Sequence, residues 1–175
     1  VIIAPSFEAS ALRFLKERKN LRIIHADPKL VKDRQKEKWD IKFLRGMTLI
    51  QDRDEPLKGH LSGMKKNLQF VTKKKLEGSQ IDDLLFAAKC AKIVKSNAIV
   101  LTAGRKTVGI GAGQMSRVDS VDIACRKAGY RTDGSFLASD AFFPMPDAIE
   151  TAAEHKIRAI IQQGGSLRDA DIIAA

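Results

Sequence analysis

The chain has 175 residues, of which 31 are Lys or Arg and 21 are Asp or Glu, for a formal net charge of +10. That length holds one domain with a real core or two small lobes, and 44% hydrophobic residues is the content of a globular protein. No apolar run reaches the length of a membrane-spanning helix, and the positive excess favours anionic partners: nucleotides, a polyglutamylated cofactor or nucleic acid.

Residues 1–5 read as a strand with Pro5 at its exit. The chain therefore opens on a core strand without a signal-peptide pattern or an initiator methionine. Ser6 is placed to cap a helix whose apolar face carries Ala9, Leu12, Phe14 and Leu15. Residues 21–25 form the next strand, and strand, helix, strand with short links predicts a parallel unit. The charged stretch 27–40 reads as a solvated face, because no aromatics interleave with its lysines as a nucleic-acid platform would require. Trp39 is expected to pack rather than stack on a base. Strands follow at 41–44 and 47–50, joined near Gly46. A mobile connection is expected over 57–68, a short strand at 69–72 and a basic turn at 73–75.

Ser79-x-x-Asp82 resembles a capping box and opens a helix through Leu84, Leu85, Ala87, Ala88, Ala91 and Val94. Its small residues permit close packing on a sheet. It runs into the stretch that organises the chain, 96–117. A buried strand is predicted at 98–101, a basic turn at Gly104-Arg105-Lys106, and a second strand ending Val108-Gly109-Ile110-Gly111. Glycine on alternate positions leaves one face without side chains, so a ligand or another backbone can approach it. Gly111-Ala112-Gly113 breaks the strand, and a helix is predicted from Gln114 through Val118, Val121, Ala124 and Cys125. Free N–H groups at such a junction can face an anion or a carbonyl oxygen, with Asn97 and Arg117 flanking the place. The glycine spacing is not that of a dinucleotide fingerprint, and the pattern alone divides evenly between a binding site and a tight turn.

Gly129 reads as a helix stop and Gly134 as a turn, with a brief strand at 136–138. Pro144 and Pro146 force an extended loop after Ser139-Asp140-Ala141-Phe142-Phe143. By composition the two phenylalanines belong to the core, and Asp147 caps a helix over 148–155. A strand at 158–162 and a helix capped by Ser166, with Asp169 at the box position, complete the chain. Cys90 and Cys125 have no metal-ligand spacing and read as free thiols in a reducing compartment. The fold class expected is α/β, with strands 98–101, 107–111 and 157–162 in one sheet and helices on both faces. Asn97, Arg117 and Asp140 are expected to converge near the 109–113 turn.

Several strings resemble, in order, those of the AICAR transformylase domain of the bifunctional AICAR transformylase/IMP cyclohydrolase family. They are Ile2-Ile3-Ala4-Pro5 with Ala11-Leu12, Gln51-Asp52-Arg53-Asp54, Asp83-Leu84-Leu85-Phe86-Ala87, and Val94-Lys95-Ser96-Asn97-Ala98-Ile99-Val100 with Gly111-Ala112-Gly113-Gln114-Met115-Ser116-Arg117. Ser139-Asp140-Ala141-Phe142-Phe143-Pro144 and Gly164-Gly165-Ser166-Leu167-Arg168-Asp169 complete the set. The resemblance implies cytidine-deaminase-like αβα layers around a mixed sheet. Residues 1–76 would be the end of a first lobe and a connection, and 77–175 most of a second lobe, with the cyclohydrolase domain absent. It implies transfer of a formyl group from 10-formyltetrahydrofolate to the 5-amino group of AICAR, in purine (IMP) biosynthesis, by a cytoplasmic homodimer whose active sites form between subunits.

By the same resemblance Asn97 is catalytic, contacting the reacting carboxamide or formyl group. Arg117, Phe142, Gly111 and Gly113 bind the nucleotide substrate. Val118, Pro144, Met145 and Asp147 bind the folate. Ser96 and Asp140 lie near a monovalent cation, K+ being the candidate. Met145 stands where the family usually has a second aromatic, and a thioether can also pack on a pterin. The family's catalytic Lys-His pair and its final strand have no counterpart in the chain, which therefore reads as a fragment unable to transfer formyl groups by itself. The zinc ligands and glutamate of true deaminases are also missing, so that likeness is one of fold alone. Two other classes stay open: a non-catalytic nucleotide or folate binder, and a basic RNA-binding module, nucleic acid being the less favoured partner.

Overall fold

In the computed structural model, residues 1–29, 38–52 and 68–175 are described. The expectations for most of the charged stretch 27–40 and for nearly all of the 57–68 connection fall outside them. The chain divides into two compact units, Val1–Pro56 and Leu57–Ala175.

In the first unit β1 (Ile2–Ala4) and β2 (Ile23–His25) pair in parallel, Ile2 opposite Ile23, with α1 (Ala9–Lys16) between them in sequence. Ser6 does not cap α1. The chain stays extended through Glu8, which is the N-cap and makes no side-chain bond, so Ser6 lies two residues too early to reach the first free N–H groups. Arg13 and Lys16 occupy the last turn, where cations complement the helix dipole. β3 (Trp39–Leu44) and β4 (Met47–Asp52) form an antiparallel hairpin with Ile41 opposite Ile50. Gly46 turns it at φ +78°, a conformation that favours glycine. Trp39 does not pack into a core: it is half exposed, with the Lys38 ammonium 4.8 Å from its ring centroid.

The second unit forms no strand at 69–72. The chain runs into a bend at 72–74 instead, Thr72 Oγ1 donating to the Lys74 carbonyl, and among the described residues no strand pairs with it. α2 (Ser79–Ala91) starts after Gly78, whose φ of +52° is again left-handed. Ser79 is already helical and caps nothing, so the expected capping box is not made. The acidic residues are used elsewhere. Asp83 Oδ1 accepts the Arg105 N–H at 2.6 Å, and Asp82 pairs with the Arg105 guanidinium at 3.0 Å. They hold the hairpin turn between β5 (Ile99–Ala103) and β6 (Lys106–Gly111). Gly104 and Arg105 are both left-handed there, the geometry whose twist suits a two-residue hairpin.

α3 (Arg117–Ala128) begins three residues later than the periodicity predicts, capped by Ser116 Oγ on the Asp119 N–H. The Gln114 carbonyl is spent on Asn97, backbone and side chain, and so cannot start a helical ladder. Gly129 ends α3 and a 3-10 turn leads on to β7 (Phe136–Ser139), α4 (Asp147–Glu154), β8 (Ala159–Ile161) and α5 (Asp169–Ala174). α5 has Arg168 rather than Ser166 as its N-cap residue and so begins two residues later than expected. The Asp169 carboxylate accepts the Gly165 and Ser166 N–H groups, while Ser166 Oγ takes the Arg168 N–H.

The sheet order is β6-β5-β7-β8; β5 is antiparallel to both neighbours and β7 is parallel to β8. Side chains alternate across it. Ile99, Leu101 and Leu137 join Val121, Ala124, Cys125 and Ala128 of α3 with Ala148 and Ala152 of α4. Val100 and Ala138 on the other face join Ala87 and Ala91 of α2. The protein is thus mixed α/β with helices on both faces of a mixed sheet. Phe143 is fully buried in the first of these clusters, whereas Phe142 is not buried, so the expectation that both belong to the core holds for one of them.

The alternate glycines of β6 are explained by α3. A Cβ on Gly109 would collide with the Ala124 carbonyl oxygen, and one on Gly111 with that of Ser120. Another backbone, not a ligand, makes the close approach on that face. This pins the start of α3 against the end of the hairpin.

Candidate functional site

The start of β5, the turn before α3 and the first turn of α3 meet at Asn97. The Ser96–Asn97 peptide is cis. Asn97 uses its whole side chain: Nδ2 donates to the Gln114 carbonyl at 3.0 Å and the Met115 carbonyl at 3.1 Å, and Oδ1 accepts from Arg117 Nη1 at 2.9 Å. Its own carbonyl accepts from Ser120 Oγ at 2.8 Å. One residue thereby ties the strand to the turn that precedes α3.

Arg117 is the first residue of α3 and most of its side chain is buried. Nη1 also reaches Asp140 Oδ1 at 3.1 Å, and Nε donates to the Phe142 carbonyl at 3.0 Å. Among the described residues Nη2 has no partner. Two edges of a rigid planar fork are thus fixed and the third remains able to donate. Asp140 Oδ1 accepts the Ala98 N–H as well, at 3.0 Å. This arrangement neutralises the arginine charge and sets its plane.

Beside this cluster lies a cavity of about 370 Å³ lined by Asn97, Arg117, Val118, Phe142, Met145 and Asp147, with Met115, Ser116, Ala141 and Pro144 completing the wall. The walls are mostly apolar and the polar groups few, the usual make-up of a small-molecule site. Asp147 opens α4, its carboxylate accepting the Ala148 N–H; it is the first residue of that helix rather than its N-cap. Arg168 Nη1 contacts Met145 Sδ at 2.9 Å from outside the wall.

Of the residues singled out from sequence, the structure brings Asn97, Arg117, Val118, Phe142, Pro144, Met145 and Asp147 to one cavity, with Asp140 behind Arg117. Gly111 is buried beneath α3. Gly113, left-handed at φ +67°, gives its N–H to the Lys95 carbonyl in the turn before α3. Ser96 is exposed, one residue before Asn97. Ser120 and Gln162 are contacts that sequence reasoning missed. Each bonds a residue about twenty positions away, and no local pattern signals that. The described histidines, His25 and His155, do not line the cavity.

Oxygen ligands near Asp140 are few. Asp140 Oδ2 has no partner among the described residues, and the neighbouring Ser139 Oγ is buried without one. No group of three or more His, Cys, Asp or Glu able to hold a metal ion occurs among the described residues. Burial pushes the Cys125 thiol up to about 11, helped by Asp122, and raises Cys90 as well, so neither is an activated nucleophile. No helix of the described residues is long and apolar enough to cross a membrane.

A mixed sheet with helices on both faces, and a mostly apolar cavity edged by an oriented asparagine and arginine, defines a mixed α/β protein with a candidate small-molecule site. The family model described as "AICARFT/IMPCHase bienzyme" matches residues 1–127, and the chain belongs to that family. Relatives named "Bifunctional purine biosynthesis protein PurH" include that of Oceanobacillus iheyensis, 44% identical over 173 residues, or 99% of this chain. Those of Sorangium cellulosum and Thermoanaerobacter sp. are each 45% identical, over 99% and 100% of it. The chain spans 32% of the length of each of these relatives.

Proposed function

We propose that this chain carries part of the formyl-transfer site of an AICAR formyltransferase, which moves a formyl group from 10-formyltetrahydrofolate to AICAR in purine biosynthesis. The observation that supports this best is the oriented Asn97–Arg117 pair at the edge of the apolar cavity. Formyl transfer builds negative charge on the formyl oxygen, and oriented donors stabilise such charge in a site that excludes water. Arg117 Nη2 is the donor still available. The Asn97 amide hydrogens are held by the 114 and 115 carbonyls. To act as a catalytic donor Asn97 must release one of them; until then it orients Arg117.

In this reading Arg117 and Phe142 bind the nucleotide, with Gly111 and Gly113 framing that side through the turn they permit. Val118, Pro144, Met145 and Asp147 hold the folate, whose flat ring suits the apolar walls. A monovalent cation, with K+ as candidate, would sit near Ser96 and Asp140, where Asp140 Oδ2 and Ser139 Oγ are oxygens not otherwise used. The amine of AICAR is weakly basic and needs a positioned base, worth about 10²–10⁴-fold. Among the described residues no imidazole lines the cavity, so in this reading they contribute binding and charge stabilisation, and the base is supplied from outside this cluster. A cytoplasmic homodimer and a division into two deaminase-like lobes near 76/77 belong to the same reading.

Titration of AICAR and of a folate analogue into the 175-residue chain tests it. Binding should saturate, should be lost in Arg117→Ala, and should vary little with salt. The net charge of +10 favours a second reading, an RNA-binding module. RNA affinity that falls steeply with salt, together with no AICAR binding, would establish that one instead.

A further inference from the structure

The Phe142–Phe143 peptide is held from both ends. Gln162, the residue after β8, accepts the Phe143 N–H on its side-chain Oε1 at 2.6 Å. The Phe142 carbonyl accepts from Arg117 Nε at 3.0 Å. These are the N–H and the C=O of one peptide group. The group is planar, and only Ser96–Asn97 is cis among the described residues, so here the two dipoles point in opposite directions. Fixing the N–H on Gln162 therefore fixes the direction of the C=O toward Arg117.

We propose that Gln162 is a positioning residue for Arg117, acting through the Phe142 backbone. The Phe143 ring is wholly buried and anchors that residue's Cα and side chain. It does not fix the rotation of the peptide plane, which the Gln162 bond does. The guanidinium plane needs two anchors. Nη1 is held by Asn97 and Asp140 and Nε by Phe142. Without the Nε anchor the fork pivots on Nη1, and Nη2 loses its fixed aim. The end of β8, remote in sequence from the 96–117 stretch, thereby controls the donor at the cavity.

The inference deepens the reading of Arg117 as a nucleotide-binding donor, but one of its tests does not depend on that reading. The direct measurement is hydrogen exchange at the Arg117 side-chain Nε–H by ¹⁵N NMR on the 175-residue chain, the signal being assigned by its absence in Arg117→Lys. Gln162→Leu keeps the size and removes the acceptor. Exchange should accelerate about tenfold, the equilibrium weight of one hydrogen bond. Gln162→Glu keeps both the size and an acceptor oxygen, and is the variant expected to fold without change; exchange should be as slow as in wild type or slower. AICAR affinity should drop in parallel in Gln162→Leu and persist in Gln162→Glu. Unchanged exchange in a folded Gln162→Leu, or faster exchange in Gln162→Glu, overturns the proposal. A wild-type chain that does not bind AICAR would instead sink the functional reading and leave the exchange result to decide the role of Gln162.

Discussion

The two units use similar sequence material to opposite effect. In the first, the hairpin residues Trp39, Ile41, Phe43, Leu44, Met47, Leu49 and Ile50 are all exposed, and none of its described residues is buried. In the second, every residue of β7 and all but the last of β5 are buried. Apolar content is not the difference. A two-stranded hairpin has no second layer of its own, whereas the four-stranded sheet has helices on both faces and a cluster of buried side chains on each. Burial, and with it stability, follows from layering.

The largest contrast should come from two phenylalanines. Phe143 is 0% exposed and Phe43 82% exposed. Phe143→Ala should cost about 3–5 kcal/mol by removing a fully buried ring, whereas Phe43→Ala should stay within about 0.5 kcal/mol. Urea unfolding of the two variants measures both, and equal costs would break the contrast.

A pair of glycines sharpens it. Gly111→Ala drives a methyl group into the Ser120 carbonyl and should cost about 1–3 kcal/mol, as overpacking does, displacing α3 and with it Arg117. Gly46→Ala meets nothing within 4 Å and carries only the left-handed backbone penalty, about 1–2 kcal/mol. The distinguishing readout is ligand binding. AICAR affinity should suffer in Gly111→Ala and be untouched in Gly46→Ala.

The smallest effect concerns the thiols of the second unit. Cys125 is buried and its pKa is raised to about 11 from 9.0, first by desolvation and then by Asp122. A raised folded-state pKa means that the folded protein retains its proton where the unfolded chain loses it. The corresponding stability is present below pH 9 and declines as pH rises from about 9 to 11. Cys90 is only partly buried, so iodoacetamide at pH 8.5 should alkylate it first. Labelling of Cys125 ahead of Cys90 would contradict the burial order.

Much of the second unit was legible because its signals are local. The hairpin of β5 and β6, the helix of α2 and the stop at Gly129 each follow from residues adjacent in the chain. Boundaries failed where a side chain or carbonyl had a remote use. Gln114 could not start α3 because Asn97 takes its carbonyl, and Asp82 and Asp83 serve Arg105 instead of a capping box. The 69–72 strand failed because a strand needs a neighbour, which its own residues do not specify.

The site divides in the same way. The strings around Asn97, Arg117, Asp140 and Phe142 were enough to mark the family and to nominate the residues, since residue identity is written in the chain. The separation of Phe142 from Phe143, one at the cavity and one in the core, was not readable, because adjacent residues in an extended loop point to different places that only the surrounding packing assigns. Nor was the tether of Gln162 to Phe143, or of Ser120 to Asn97. A hydrogen bond between groups about twenty residues apart exists only once the sheet and α3 have brought both ends together, and it is this assembly that sets the plane of Arg117.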